Sequence, residues 1–300
     1  MGSRKLFVTG ATGQLGRLVI DRLLENVPAN EIVAGVRDTT AEAATALRER
    51  GIEVRAADYT RLEMLAAAFA GVDRLLLISS SENGKRKLQH RNVIDAAKSA
   101  GVSLIAYTSI LHADTSPLFL AEEHRDTEAA LAESGVPYVL LRNGWYSEVY
   151  TWRLPGALKA GALLGAAGNG RISSAARADY AAAAAVVLAG GDHAGEVYEL
   201  GGDASFTLSD LAAVVTQNIG KEMPYRDMIP ESFRSAMLAA GLPEMVAKVV
   251  SDTDAGVAKG ALYDDSHTLS RLIGRPTMPF DTTITTFLQN RTPEAPPHHD

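Results

Sequence analysis

A glycine-rich turn close to the start of the chain constrains the fold more than any other feature. Gly10, Gly13 and Gly16 recur at every third position, after an apolar run at Leu6–Val8 and at the start of a segment with helical spacing. Gly10 can adopt the positive φ of a tight turn, Gly13 leaves the backbone accessible, and Gly16 lets a helix lie close to a sheet. In this context the pattern predicts a strand-turn-helix unit whose helix N-terminus binds phosphate, although such glycines can also form only a turn.

Strand-like and helix-like segments alternate through the first half of the chain. The short aliphatic runs are Leu6–Val8, Ile32–Val36, Ile52–Val54, Leu75–Ile78, Leu104–Tyr107 and Tyr138–Leu141. Several of them are apolar without alternation, as expected when helices cover both faces of a parallel sheet. The segments between them have helical periodicity, so the pattern predicts a doubly wound, Rossmann-type α/β fold.

The second half of the chain follows a different pattern after about Tyr146. An Ala-rich helix from about Asp179 to Leu188 and a strand at Val197–Leu200 indicate a return to the sheet. The remainder is predicted to be mostly helical, with Thr207 or Ser209 as one N-cap and a second helix starting at Pro230. We therefore predict a dinucleotide-binding domain (1–150 and 175–202), a smaller, mostly helical substrate domain (151–174 and 203–291) and a disordered tail (292–300).

The composition excludes several classes of protein. The formal net charge is -7, no segment concentrates lysine and arginine, and cysteine is absent. We therefore expect neither nucleic acid nor an anionic membrane as a main partner, no thiolate chemistry, and a cytoplasmic location. The Ala-rich stretch Ala181–Ala189 is far shorter than the roughly 20 residues that span a bilayer. No metal site is predicted, because His124 and Glu128 have no third ligand.

The end of the second strand carries the residues that distinguish the two nicotinamide nucleotides. Arg37 follows the strand directly and Asp38 comes next. An arginine here can pair with the 2′-phosphate of NADP, whereas an acid accepts hydrogen bonds from both ribose hydroxyls of NAD. Because Arg37 comes first, we predict NADPH as the cofactor, with weaker NADH use left open by Asp38. The alternative is a surface arginine paired with nearby carboxylates.

Two polar positions at strand ends are further candidates for cofactor contact. Asp58 follows the third strand and can accept a hydrogen bond from the adenine amino group, or it can cap the next helix, for which Thr60 is better suited. Ser79, Ser80 and Ser81 end the fourth strand, at the edge where ligands of open α/β sheets bind. The alternative for the serines is a simple polar loop.

Charged residues elsewhere are weaker candidates. Arg177 begins the Ala-rich helix, where a cation opposes the helix dipole, so we expect an anionic partner such as a cofactor phosphate or Asp179. His112 and Asp114 follow the fifth strand and could border an acceptor, but a solvated loop is the favoured interpretation.

The glycine spacing and several later segments resemble the NmrA-like branch of the atypical short-chain dehydrogenase/reductases. The later segments are Leu76–Ser81, Gln89–Lys98, Ile105–Ser109, Leu141–Tyr146 and Arg177–Ala182. The resemblance covers nearly the whole chain and is closest to the bacterial NADPH:quinone oxidoreductases of type 2, with triphenylmethane reductases as near relatives. The pyrophosphate is then expected on Gly10, Ala11, Thr12, Gly13, Gln14 and Leu15. The resemblance further implies that the nicotinamide is lined by Leu141, Arg142, Asn143, Gly144, Trp145 and Tyr146.

The chain lacks the acid/base pair that most dehydrogenases of this superfamily carry. That pair is Tyr-x-x-x-Lys, and no tyrosine here has lysine four residues later. Carbonyl reduction needs a proton donor for a basic alkoxide, whereas a quinone that accepts hydride becomes a resonance-stabilised phenolate that water can protonate. Transfer to a quinone then needs mainly two stacked rings in a dry pocket. The missing pair favours a quinone, and it is also compatible with no catalysis.

We therefore predict an NADPH-dependent reductase that transfers hydride to a quinone-like aromatic acceptor. Asn143 can bond the carboxamide or the acceptor oxygen, and Tyr146 can stack on the acceptor, so these are the predicted catalytic residues. Trp145 and Tyr146 could instead anchor the second domain. The alternative functions are reduction of cationic aryl dyes and a non-catalytic redox sensor like the fungal NmrA-type regulators. A homodimer is one assembly that the sequence leaves open.

Overall fold

The computed structural model describes residues 4–82 and 84–291, and a seven-stranded sheet lies at its centre. The strands of this sheet are β1 (Leu6–Val8), β2 (Ile32–Val36), β3 (Glu53–Ala56), β4 (Arg74–Leu77), β5 (Leu104–Ile110), β6 (Tyr138–Asn143) and β8 (Val197–Leu200). Their order is β3-β2-β1-β4-β5-β6-β8, and every neighbouring pair is parallel. The predicted doubly wound, Rossmann-type α/β fold is confirmed.

Helices cover the sheet and make up most of the second half of the chain. In the described ranges they are α1 (Gln14–Leu24), α2 (Glu42–Glu49), α3 (Leu62–Ala68), α4 (Arg86–Ser99), α5 (Phe119–Ser134), α6 (Ser147–Ala160), α7 (Arg177–Ala189), α8 (Leu208–Ile219), α9 (Pro230–Ala239), α10 (Glu244–Val257), α11 (Thr268–Ile273) and α12 (Phe280–Gln289). Within residues 4–82 and 84–291, none of them is both long and apolar enough to cross a membrane.

Two apolar cores lie on opposite faces of the sheet. Leu6 and Val8 belong to the core that α1 and α7 cover, whereas Phe7 between them belongs to the core that α3, α4 and α5 cover. Side chains alternate between the faces of a strand, so a continuous apolar run supplies both cores. This arrangement explains why the strands of the first half lack hydrophobic alternation.

The predicted strands end too early at the edge of the sheet where the site forms. β5 continues to Ile110 and β6 to Asn143, beyond the predicted ends at Tyr107 and Leu141. All of the added residues except Ile110 are polar, yet they keep the parallel register, with Ser109 opposite Arg142 and Ile110 opposite Asn143. The strand ends here are therefore set by backbone pairing. The hydrophobicity of the side chains, on which the prediction rested, does not indicate that pairing. The third strand differs at its start, because Glu53–Ala56 begins one residue later than predicted.

The second half of the chain returns to the sheet and then leaves it, as predicted. β8 pairs with β6, and α7 precedes it with Arg177 as its first residue. Thr207 is the N-cap of α8 and forms a capping box with Asp210, and α9 begins at Pro230. A separate parallel pair of strands, β7 (Leu163–Gly165) and β9 (Tyr225–Asp227), was not predicted. The division into two domains stays a prediction, and the tail 292–300 lies outside the described residues.

The order of the strands determines where a ligand can bind. The chain winds from β1 towards β3 on one side and from β4 towards β8 on the other, so the direction of winding reverses between β1 and β4. The loop after β1 and the loop after β4 run in opposite directions. A crevice therefore opens beyond the carboxyl ends of these two strands. The glycine turn follows β1 and the three serines follow β4, so both predicted segments border this crevice.

Two buried histidines lie behind the loop that follows β4. The Ser80 amide donates to His90 Nε2 at 3.0 Å, so the His90 proton is on Nδ1, which lies 2.9 Å from Thr127 Oγ1. His124 Nδ1 lies 2.8 Å from the Tyr107 hydroxyl. Burial lowers the pKa of both histidines to about 3, so both are neutral at physiological pH.

These histidines should make the protein lose stability below neutral pH. Their pKa values of about 3 in the folded protein lie below the ordinary 6.5. Between these values only the unfolded chain takes up the protons, so the free energy of unfolding falls as pH falls. From pH 7 to pH 5 the loss should be about 2 kcal/mol for each histidine. Urea denaturation at several pH values measures it.

A substitution separates this effect from general acid sensitivity. His124→Gln should lower stability at pH 7 and make the decline towards pH 5 shallower. His193→Gln, at a half-buried position between α7 and β8, is the control for replacing a histidine outside this buried pair. A His124→Gln slope as steep as that of the unmodified protein would contradict the prediction.

Candidate functional site

The glycine turn holds the start of α1 against the end of β1. Gly10 has a φ of +57°, which favours glycine. A Cβ on Gly13 would lie 3.1 Å from the Gly10 carbonyl oxygen, and a Cβ on Gly16 would overlap that oxygen. Gly13 is the N-cap of α1 and no side chain caps the helix. The amides of the first turn therefore have no carbonyl partner and present partial positive charge to a ligand.

A cleft with a volume of about 730 Å³ opens from this turn along the carboxyl ends of the strands. Such a volume is typical of a site for a small molecule or cofactor. The predicted site residues that line it are Gly10, Thr12, Gly13, Gln14, Leu15, Arg37, Asp58, Ser79, Ser80, Ser81, Tyr146 and Arg177. The structure thus brings together residues from six separate segments of the chain.

Some predicted site residues are directed elsewhere. Ala11 is buried, and its amide donates to the Gly35 carbonyl at 3.1 Å. Leu141 belongs to a core on one face of the sheet. A Cβ on Gly144 would lie 2.9 Å from the Tyr180 hydroxyl, so this glycine admits a neighbouring side chain rather than a ligand. Cofactor contact by these residues stays a prediction.

Arg142 is held in a cluster of acids. Its guanidinium lies 2.7 Å from Glu128, 2.9 Å from Glu199 and 3.2 Å from Asp114. The His112 amide donates to Glu199 at 2.8 Å. Because the guanidinium is occupied by these carboxylates, any contact of Arg142 with a cofactor would have to come from its backbone. Neither His112 nor Asp114 lines the cleft.

The end of β6 contributes the predicted catalytic residues. Asn143 is buried, and its Oδ1 has no hydrogen-bond donor among the described residues. Tyr146 is half-buried at the cleft, and burial raises the pKa of its phenol, so the hydroxyl stays protonated at neutral pH. Trp145 instead packs against the apolar cluster beyond the sheet. Of these three residues only Tyr146 lines the cleft, where it presents a neutral phenol, and Asn143 lies outside its lining.

Arg177 lies between the cleft and a carboxylate that the sequence did not identify. Its guanidinium lies 4.6 Å from the centre of the Tyr146 ring, and its amide donates to both oxygens of Glu148 at 3.0 and 3.1 Å. Of the two anionic partners that the sequence left open, Asp179 instead pairs with Arg275 at 2.7 Å, and contact with a cofactor phosphate stays a prediction. Glu148 supplies the negative charge that the start of α7 favours.

Two acids at the other end of the cleft are each held by a threonine. Thr40 donates its amide to Asp38 at 2.8 Å, and Thr60 donates its amide to Asp58 at 2.8 Å. Both threonine hydroxyls donate to the same carboxylate oxygens. These hydrogen bonds lower the pKa of both acids. Neither Asp58 nor Thr60 caps α3, whose N-cap is Arg61 without a side-chain bond.

The sequence did not identify three other residues of the cleft. Tyr59 donates its hydroxyl to Thr9 and packs beneath the cleft, Glu82 lies opposite Arg37, and Gln89 is buried on α4. The Gln89 Oε1 has no donor in the described part of the chain. Gln89 lies in a segment that carried the family resemblance, which was the signal available for it.

The cleft has the features that a dinucleotide requires. Free amides at the start of α1 suit a pyrophosphate, and Arg37 at the rim exposes 79% of its side chain to solvent. The unpartnered oxygen of Gln89, which lines the cleft, can accept a hydrogen bond from a ligand. The residues present therefore fit the cofactor that the sequence predicted.

Comparison with known proteins agrees with this geometry. Residues 10–189 match the model of the NAD(P)H-binding family. The chain is 56% identical over 270 residues to quinone oxidoreductase 2 of Escherichia coli strain K12, covering 90% of this chain and 94% of that protein.

Solved structures agree over nearly the full length. An Escherichia coli NADPH-dependent quinone oxidoreductase in complex with NADPH superimposes with a TM-score of 0.91 at 54% identity, covering 93% of this chain and 98% of that one. A Citrobacter sp. triphenylmethane reductase in complex with NADP(H) gives a TM-score of 0.88 at 37% identity, covering 94% and 99%. The chain therefore belongs to the NAD(P)H-binding family, in the group that includes quinone oxidoreductase 2 of Escherichia coli.

Proposed function

We propose that this chain is an NADPH-dependent oxidoreductase that reduces a quinone. The observation that carries the proposal is the combination of the glycine-turn cleft with similarity, over nearly the full length, to a quinone oxidoreductase that binds NADPH. A shared fold alone would not specify an activity, but this relative is similar enough for the site residues to be compared directly.

The proposal assigns each end of the cleft to one part of the cofactor. The amides at the start of α1 bind the pyrophosphate, and Arg37 binds the 2′-phosphate. Asp58 and the serines from Ser79 to Ser81 contact the adenosine half. Asn143 and Tyr146 lie at the nicotinamide end, where Arg177 stacks on the Tyr146 ring. The C-terminal segments 151–174 and 203–291 are proposed to form the substrate domain.

Bound NADPH supplies a hydride, and the chain has to orient an acceptor beside it. Tyr146 supplies a flat ring and a protonated hydroxyl, which can donate to the acceptor oxygen while the reduced ring gains negative charge. The unpaired Asn143 oxygen can accept from the carboxamide and fix the nicotinamide ring. These contacts position the two rings, and positioning is the main requirement for this transfer.

The region where a general acid would be expected supports a quinone over an aldehyde or ketone. On α5, His124 is bound to Tyr107, and Glu128 is bound to Arg142 and Ser109. These groups are occupied by partners within the protein and do not line the cleft. A quinone, whose reduced oxygen is weakly basic, can be protonated by water, so it does not need such an acid.

The proposal is tested by following NADPH oxidation through its absorbance with different acceptors. We expect turnover with benzoquinone or menadione and none above background with simple aldehydes. Malachite green is the test for reduction of triphenylmethane dyes, because a relative at 37% identity is named for that activity. Tight NADPH binding without turnover of any quinone or dye would favour a sensor and would contradict the proposal.

A substitution at Arg37 tests the proposed 2′-phosphate contact. Arg37→Ala removes the cation, so the dissociation constant of NADPH should rise by about tenfold or more, while that of NADH should change less than about twofold. Calorimetric titration measures both constants. Arg48→Ala, exposed on α2 and outside this cleft, is the matched control. Equal losses for the two nucleotides in Arg37→Ala would remove Arg37 from 2′-phosphate recognition.

A further inference from the structure

Three carboxylates line the end of the cleft where Arg37 lies, which is the end proposed to bind the adenosine. Asp38, Asp58 and Glu82 all line the cleft with Arg37. A 2′-phosphate carries close to two negative charges at neutral pH. An anion that approaches Arg37 therefore meets a site in which negative side chains outnumber the arginine.

Glu82 differs from the other two carboxylates in how it is held. Asp38 and Asp58 are each fixed by the threonine two residues later, through its amide and hydroxyl. The Glu82 carboxylate instead lies 3.7 Å from the Arg37 guanidinium and 3.2 Å from Lys85. Both cations are largely exposed. Glu82 therefore contacts Arg37 across the mouth of the cleft, between the end of β2 and the loop after β4.

The ion pair is well placed to be exchanged for a ligand. A separation of 3.7 Å is longer than a charge-assisted hydrogen bond, and exposed pairs of this kind are weak. The bond from Lys85 lowers the pKa of Glu82, so the carboxylate is charged at neutral pH. The backbone amide of Glu82 donates to Ser80 Oγ at 3.2 Å, which keeps the residue beside the cleft.

We propose that Glu82 is a specificity-determining residue that competes with the 2′-phosphate of NADPH for Arg37. This inference rests on the proposed function, because it requires Arg37 to bind that phosphate. NADPH has to displace the carboxylate from the guanidinium and then remains close to a negative charge. NADH has a hydroxyl in place of the phosphate and meets neither cost. Glu82 therefore narrows the preference for NADPH that Arg37 creates.

The test is a calorimetric titration of the full-length chain with NADPH and with NADH. In Glu82→Gln, NADPH should bind about three- to fivefold more tightly, because the competing charge is gone and the amide keeps the size of the side chain. NADH affinity should change less than about twofold. Glu25→Gln is the matched control, since Glu25 forms a similar exposed pair with Arg22 at the far end of α1 and its loss changes the net charge equally.

A double variant identifies Arg37 as the group for which Glu82 competes. In an Arg37→Ala background, Glu82→Gln should change NADPH affinity by less than about twofold. Unchanged or weaker NADPH binding in Glu82→Gln would overturn the proposal, as would full tightening in the absence of Arg37. A selective loss of NADH binding would make Glu82 a ribose ligand and would also overturn it. If the unmodified chain binds neither nucleotide, that result contradicts the proposed function, and with it the inference about Glu82.

Discussion

The contact between the glycine turn and the start of α1 sets the geometry of the whole site. A side chain at Gly16 would collide with the Gly10 carbonyl, and Gly10 itself has the positive φ that glycine tolerates best. Only with both glycines in place does α1 begin directly beyond β1, where the direction of winding reverses. The partial charge at the start of α1 is useful only there, because it falls off within one turn of the helix. The remaining cleft residues are arranged around this fixed point.

The parts of the fold that sequence reasoning predicted are those whose signals are local. The glycine spacing, the apolar strands, the cap at Thr207 and the start of α9 at Pro230 depend on neighbouring residues, and the structure agrees with them. Glu82 was missed as a site residue because the contact that places it at the cleft comes from far along the chain. Arg37, for example, lies on another strand end, 45 positions before Glu82, and nothing in the sequence around Glu82 reports that contact.

The segment at the end of β6 shows why a prediction from neighbouring residues includes too many residues in a binding site. Arg142 and Asn143 are adjacent, and both were predicted to contact the cofactor. Successive side chains of a strand point to opposite faces, so the two cannot share one environment. The structure places Arg142 among Glu128 and Glu199, whereas the Asn143 oxygen is left without a donor. A family resemblance over a continuous stretch assigns the same role to both residues. Only the alternation of side chains between the two faces of the strand distinguishes them.

An acidic protein that binds a polyanion depends on short-range contacts more than on its net charge. The chain carries a formal charge of -7, which by itself repels a phosphorylated nucleotide. Salt screens charges beyond roughly 8–10 Å, so carboxylates on distant surfaces have little influence in the cleft. Within that distance the amides of α1, Arg37, Arg177 and Lys85 attract the nucleotide, and Asp38, Asp58 and Glu82 repel it. Because threonines hold Asp38 and Asp58 in place, Glu82 is the acid whose position can respond to a bound phosphate.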